Sequence, residues 1–193
     1  MSITSLAQLS QLMAAHQPLK PWYRALTQRA VVALILAEHP ELGLAFLMIQ
    51  RAEYDGDRWS GQMGFPGGKH DSLDANMRAT VERELIEELG LDASQLQCMG
   101  RLSDIVARPH QWDKKPMIIT PLVFSASSDV SLTPNAEVAA CLWLPVSHFQ
   151  NANNRQMMPL TRAGITLELP CYVYQKRRIW GLSLLMIDEL LQL

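Results

Sequence analysis

Little in this chain of 193 residues invites a disulfide, a membrane or a nucleic-acid polymer. Its three cysteines, Cys98, Cys141 and Cys171, are odd in number, far apart and set in apolar stretches. That speaks for buried free thiols in a reducing, cytoplasmic setting and against a disulfide framework or a cysteine metal site. No apolar run approaches the ~20 residues that cross a bilayer. The opening MSITSLAQLSQLMAAHQ has no basic leader ahead of a solid apolar block, so a secretory signal is not expected. Charge of one sign is scarce too. The formal net charge is −2, so no broad field draws in nucleic acid or an anionic membrane. A small polyanion would need a local cation, from a side chain or a metal ion. Repeats and low-complexity segments are missing. What remains, 48% hydrophobic and 19% charged residues, is the balance of a folded globular protein, long enough for one domain with a sizeable core.

Along the chain, Ile3, Leu6, Leu9, Leu12 and Met13 fall at helical spacing, and Pro18 and Pro21 end that helix. The continuous apolar run 30–38 suits a buried strand; HPELG reads as a turn and 44–52 as its antiparallel partner. Residues 53–64 look like a loop. A pattern free of Gly and Pro from Asp74 to Leu89 predicts a helix stopped by Gly90. QCMGRLSDIVA and MIITPLVFSA read as strands flanking a polar loop at 108–116, and VAACLWLPV as another. After a mixed region at 148–163 come the strands GITLELP and CYVYQ and a final amphipathic helix over about 180–193. The irregular mixture of strands and helices predicts an α+β fold with a mixed sheet rather than a doubly wound one, in a single domain.

The chemistry concentrates in the predicted helix after the glycine turn. Met77, Val81, Leu85 and Leu89 recur every four residues and form an apolar stripe, with Glu84, Glu87 and Glu88 along its edge. Like charges at this spacing repel, by a few tenths of a kcal/mol per pair when solvated and by more when buried. Arg83, four before Glu87, can hold one acid but cannot neutralise three. A hard divalent cation with oxygen ligands can. An ordinary solvated acidic face is the competing reading. The acids adjoin the buried stripe instead of opposing it, and Gly67–Gly68 lies just upstream, where a backbone can approach a ligand closely or offer a carbonyl to a metal.

The run GGKHD…RELIEELGL resembles the signature of the Nudix hydrolases: Gly, five residues, Glu, seven residues, then Arg-Glu-aliphatic-x-Glu-Glu-x-Gly-aliphatic. Arg83, Glu84, Leu85, Glu87, Glu88, Gly90 and Leu91 match the second half position by position. The first half departs: one extra residue separates Gly68 from Arg83, and Asp74 is the nearest acid to the upstream Glu. The resemblance implies a Nudix-type α/β/α sandwich with a mixed β-sheet over residues 1–193. Residues 1–24 would be a helical extension and 64–91 the loop-helix box. It further implies hydrolysis of a nucleoside diphosphate linked to another group X. Glu84, Glu87, Glu88 and the Gly68 carbonyl would be ligands of Mg²⁺ (or Mn²⁺), Glu84 would double as a base, and Arg83 would orient Glu87.

QRAEYDGDRWSGQMGFPGGKHDSLDA and RRIWGLSLLMIDELL resemble the coenzyme A pyrophosphatase subgroup of that family, which implies coenzyme A or a derivative as substrate, cut to 3′,5′-ADP and a phosphopantetheine. Arg51 and Arg58 suit phosphate contacts, with Gly67 as the close-approach point, and Trp59 suits base stacking. Glu137, ahead of VAACLWLPV, is a further candidate base or ligand, and Asp104 competes with it. His70 beside the glycines, and the basic loop with His110, Trp112, Lys114 and Lys115, are weaker candidates for phosphate or substrate contact. Other readings stay open: hydrolysis of (d)NTPs, ADP-ribose or a nucleotide sugar, a non-catalytic nucleotide-binding module, or a metal-free acidic helix docking a basic partner. The two terminal helices pack on their own domain or across a homodimer.

Overall fold

The computed structural model describes residues 2–55, 59–107, 116–162 and 164–193. Its centre is the hairpin of β1 (Gln28–His39) and β2 (Gly43–Arg51), antiparallel from Ile35↔Leu47 to His39↔Gly43. β1 is apolar almost throughout because both of its faces are covered. Ala30, Leu34 and Leu36 belong to one buried cluster, while Val31, Ala33 and Ile35 belong to another.

Beyond Ile35 and Leu47 the two strands diverge, and the segment 63–69 fills the gap. Its β3 (Met63–Gly64) pairs with β2 at Ile49↔Gly64, and its β4 (Gly67–Lys69) pairs with β1 at Val32↔Gly67 and Val31↔Gly68. Between them the Pro66 carbonyl accepts from the Ala33 amide at 2.8 Å. On the far edge of β1, β7 (Met117–Ser125) runs parallel to it from Gln28↔Met117 to Leu36↔Ser125. The expected strand QCMGRLSDIVA is instead two, β5 (Gln97–Arg101) and β6 (Ile105–Ala107), interrupted at 102–104 and both antiparallel to β7. β8 (Val138–Pro145) closes the other edge against β2, completing a mixed eight-stranded sheet.

The expected pair GITLELP and CYVYQ is one strand, β10 (Ile165–Tyr174), between β9 (Arg155–Arg162) and β11 (Arg177–Trp180) in a second, antiparallel sheet. Pro170 is tolerated in its middle because β11 pairs only with residues 171–174. At Pro170 the strand has one partner, Met157 of β9.

Helices cover both faces of the large sheet. α1 (Leu6–Ala15), whose N-cap Ser5 accepts from the Gln8 amide, and α4 (Gly181–Leu191) pack Leu9, Met13, Leu184, Ile187 and Leu190 against Leu34 and Phe46, beside the short α3 (Val146–Gln150). α2 (Met77–Leu89) packs Val81, Leu85 and Leu89 on the opposite face with Val31, Ala33 and Ile35. The result is an α/β/α sandwich in one domain. Both terminal helices seat on this core, joined by His16 Nε2 and Glu189 Oε1 at 3.0 Å. Among the described residues, no helix is long and apolar enough to cross a membrane.

Candidate active site

α2 begins later than its pattern suggests. Asn76 caps it, its side chain accepting from the amides of Arg78 and Ala79, so Asp74 lies in the preceding turn and not in the helix. The helix stops at Gly90, whose φ of 60° favours glycine. The amides of Gly90 and Leu91 return to the carbonyls of Ile86 and Leu85. Between these limits, burying Val81, Leu85 and Leu89 turns Glu84 and Glu88 towards the inserted strand β4.

The two glycines of β4 make that approach feasible. Gly67 has a φ of 136°, and a Cβ there would collide with the Val31 carbonyl of β1. A Cβ on Gly68 would collide with the Glu84 carboxylate. With neither present, the Gly67 amide donates to Glu88 Oε2 at 2.8 Å.

Glu88 is only 3% exposed. Burial raises its pKa to about 7; the Gly67 amide opposes the rise, Glu84 adds to it, Arg51 opposes it and Glu137 adds to it. Arg51 Nη1 stands 3.9 Å from Glu88 Oε1, too far for a hydrogen bond. Burial likewise raises Glu84, against the pull of Arg83 and with the push of Glu87 and Glu137. The acids thus stand in a mutually repulsive, desolvated group.

Arg83 is the hub beside them. Its Nη1 donates to Glu84 Oε1 and to Glu87 Oε2, both at 3.0 Å, and its Nη2 donates to the Lys69 carbonyl at 3.1 Å. Asp74 grips the same guanidinium with both oxygens at 3.1 Å. This bond to Arg83, followed by the Asp71 backbone, holds the Asp74 carboxyl well below the usual carboxylate range. Glu87 is 53% exposed and shares Arg83 Nη1 with Glu84, but it does not line the cleft that Glu84 and Glu88 reach. Among the described residues, no group of three or more His, Cys, Asp or Glu stands ready-made to hold a metal ion.

Glu84 and Glu88 open into a cleft of about 1060 Å³ that also takes in Arg51, Trp59, Gly67, Gly68 and Glu137. Its volume is at the upper end for small-molecule sites. Arg58 and the loop residues His110, Trp112, Lys114 and Lys115 lie outside the described residues. His70 is engaged elsewhere, Nδ1 to Thr80 Oγ1 at 2.7 Å and 3.8 Å from Asp74. Asp104 is absent from the cleft lining, its side chain fully covered beside Arg24, Arg101 and Thr120. Sequence reasoning missed several residues that line the cleft: Lys69, Leu160 and Thr161 of β9, and Leu182 and Met186 of α4. The WG pair at Trp180–Gly181, noted there only as a subgroup likeness, lines it as well.

A model of the NUDIX domain matches residues 26–162. The chain is 31% identical over 134 residues to the protein named Uncharacterized Nudix hydrolase NudL of Photorhabdus laumondii, covering 69% of this chain and 68% of that one. To the protein of the same name from Yersinia pestis it is 27% identical over 172 residues, covering 89% and 82%. Among solved structures it resembles the Nudix hydrolase RenU of M. smegmatis, with a TM-score of 0.51, 23% identity and coverage of 64% and 74%. It also resembles the Ap4A hydrolase of C. elegans, with a TM-score of 0.52, 15% identity and coverage of 65% and 88%. These two structural likenesses establish the fold.

Proposed function

The chain belongs to the Nudix family of hydrolases, which cleave pyrophosphate bonds in nucleotide-linked compounds, and on that premise we propose that its substrate is coenzyme A or a coenzyme A derivative, cut to 3′,5′-ADP and a phosphopantetheine. The observation that carries the reading is the convergence of Glu84 and Glu88 on the glycines of β4 within a cleft of about 1060 Å³.

The donor set fits Mg²⁺ or Mn²⁺. Glu88 is a buried carboxylate with the Arg51 guanidinium 3.9 Å away, pressed by Glu84 and Glu137, and hard oxygen donors suit these ions. In the proposal Glu84, Glu88 and the Gly68 carbonyl hold the ion, with Glu87 joining them when it leaves Arg83. When bound, the ion supplies positive charge to the diphosphate and to the negative charge that grows on it during hydrolysis.

The chain's own groups do the rest. Arg83, pinned by Asp74, fixes the direction of Glu84 and so acts as a positioning residue. Arg51 contacts a phosphate, and Gly67 leaves room for the diphosphate against the backbone. Arg58 has the same assignment from the sequence. The attacking water gives up its proton to Glu84 or to Glu137 on the same cleft. Trp59 and Trp180 line the cleft and, in the proposal, are the aromatic side chains that stack on an adenine. Trp180–Gly181, the WG pair of the subgroup resemblance, lines the cleft, which supports the reading.

The test is product release from coenzyme A, ADP-ribose, diadenosine polyphosphates and dNTPs, with Mg²⁺ or Mn²⁺, in wild type beside Glu88→Gln. Release of 3′,5′-ADP from coenzyme A that the variant loses supports the reading. Turnover confined to another member of the panel overturns the substrate assignment. Absence of turnover throughout overturns the catalytic reading.

A further inference from the structure

The acidic end uses only part of the cleft. From Val32, opposite Gly67, the floor continues to Ala30, which pairs with Ile119 of β7, and on to Met117, which faces Ala107 of β6. Four residues of strand separate Val32 from the level of Met117, about 13 Å. Leu182 and Met186, four apart on α4 and so on one face of it, line the same cleft. None of Val32, Ala107, Met117, Ile119, Leu182 and Met186 carries a hydrogen-bonding side chain. Ser183 directs its hydroxyl to the Met63 carbonyl at 3.2 Å. Lys69, exposed and paired with Ala30 across the strands, stands beside this floor.

We propose that this floor is the subsite for X, and that it selects a flexible, largely aliphatic arm over a sugar. The inference rests on the diphosphate hydrolysis proposed above and narrows its substrate class. Each methylene moved from water onto such a floor tightens binding about two- to fourfold. Each sugar hydroxyl pressed against it without a partner weakens binding about tenfold. The chain therefore ranks nucleoside diphosphates by the apolar character of the group on the second phosphate.

Calorimetry with non-hydrolysable methylene-bisphosphonate analogues of ADP tests this without relying on turnover. The second phosphonate carries a ribosyl, butyl or octyl group, and Mg²⁺ is present. Wild type is expected to bind octyl over butyl over ribosyl, at least about tenfold from end to end by the methylene increment. Met117→Gln and, separately, Leu182→Gln are expected to remove most of the octyl advantage and leave ribosyl binding unchanged. Ribosyl binding as tight as octyl, or variants that weaken all three ligands equally, overturns the subsite. Hydrolysis of the corresponding cleavable diphosphates is run in parallel. Chain-length dependence without turnover overturns the hydrolytic reading and supports the subsite, whereas turnover without chain-length dependence overturns the subsite alone.

Discussion

The amide of Gly67 donates to Glu88 Oε2 across 2.8 Å, which ties a strand inserted into the sheet to the last turn of the helix packed on it. The bond spans 21 positions of sequence. Gly67 sits at a φ of 136° against β1, and Glu88 is buried with the Arg51 guanidinium 3.9 Å from its Oε1. The acid is therefore held in place by the fold in a setting that disfavours its charge.

That relationship sets the pH behaviour. The pKa of Glu88 rises from 4.5 to about 7 on folding, so the native state binds this proton more tightly than the unfolded chain does. Stability of the metal-free protein should be greatest below about pH 4.5 as far as this group is concerned, fall as pH rises to about 7, and stay low beyond it. Glu88→Gln, which keeps an oxygen for the Gly67 amide, should raise the stability of metal-free protein by about 1–3 kcal/mol near pH 8. It should also abolish hydrolysis. Metal affinity should rise with pH through about 7, since the ion requires the carboxylate. Thermal melts across pH, with chelator and with Mg²⁺, check the three together. A variant no more stable than wild type in chelator would show that Glu88 is not strained in the fold.

The two glycines should fail differently. Alanine at Gly67 meets the backbone of β1 and a disfavoured φ, neither of which can yield, so Gly67→Ala should lose about 2–4 kcal/mol of stability. Alanine at Gly68 meets the end of the Glu84 side chain, which can rotate away. Gly68→Ala should therefore fold with less than about 1 kcal/mol of loss. Yet it should lose ~100-fold or more in kcat/KM because Glu84 is displaced. Denaturant titration beside steady-state kinetics separates the two outcomes.

How much of this was legible follows from where each feature is encoded. The buried hairpin of Ala33 to Leu36 with Leu47, and the stripe of Val81, Leu85 and Leu89, are local patterns, and both stand where the sequence puts them. The start of α2 was misjudged because Asp74 fits a helical pattern equally well. Its carboxylate goes instead to Arg83, nine residues on, while Asn76 caps the helix. The far side of the cleft had no local signal. Leu160 of β9 and Met186 of α4 reach it only through the second sheet and the return of α4 to the core. A period of two or of four describes their faces but not what those faces meet. The division of labour among the acids is equally non-local. Glu87 and Glu88 are adjacent in sequence, and only the packing of α2 exposes one and buries the other.

Arg83 should not be replaceable by lysine. Its five contacts need a planar fork, and an ammonium can serve only part of them. Arg83→Lys should keep the fold and lower kcat ~10–100-fold with little change in KM, as expected for a group that positions another. Asp74→Asn, which loses charge but keeps shape, should show a milder loss of the same kind. An unchanged kcat in both would remove Arg83 from the machinery.

Asp104 provides the counter-case, an acid built for the fold and not for the cleft. Its side chain is fully buried. Thr120 Oγ1 donates to Oδ1 at 2.7 Å, and Arg101 Nη2 donates to the same oxygen. Among the described residues Oδ2 has no hydrogen-bond partner, and it faces Arg24 Nε at 3.4 Å. Arg24 lies ahead of β1, Arg101 ends β5 and Thr120 lies in β7, so one carboxylate joins the N-terminal segment to the edge of the sheet. Asp104→Ala leaves two largely covered guanidinium groups without their counter-charge. It should cost about 2–3 kcal/mol, a little below the range for fully buried pairs because both arginines keep some contact with water. The cleft lining does not include Asp104, so kcat/KM of the folded fraction should stay within about threefold of wild type. A stable Asp104→Ala protein that has lost turnover would reverse the assignment and place this acid in the chemistry.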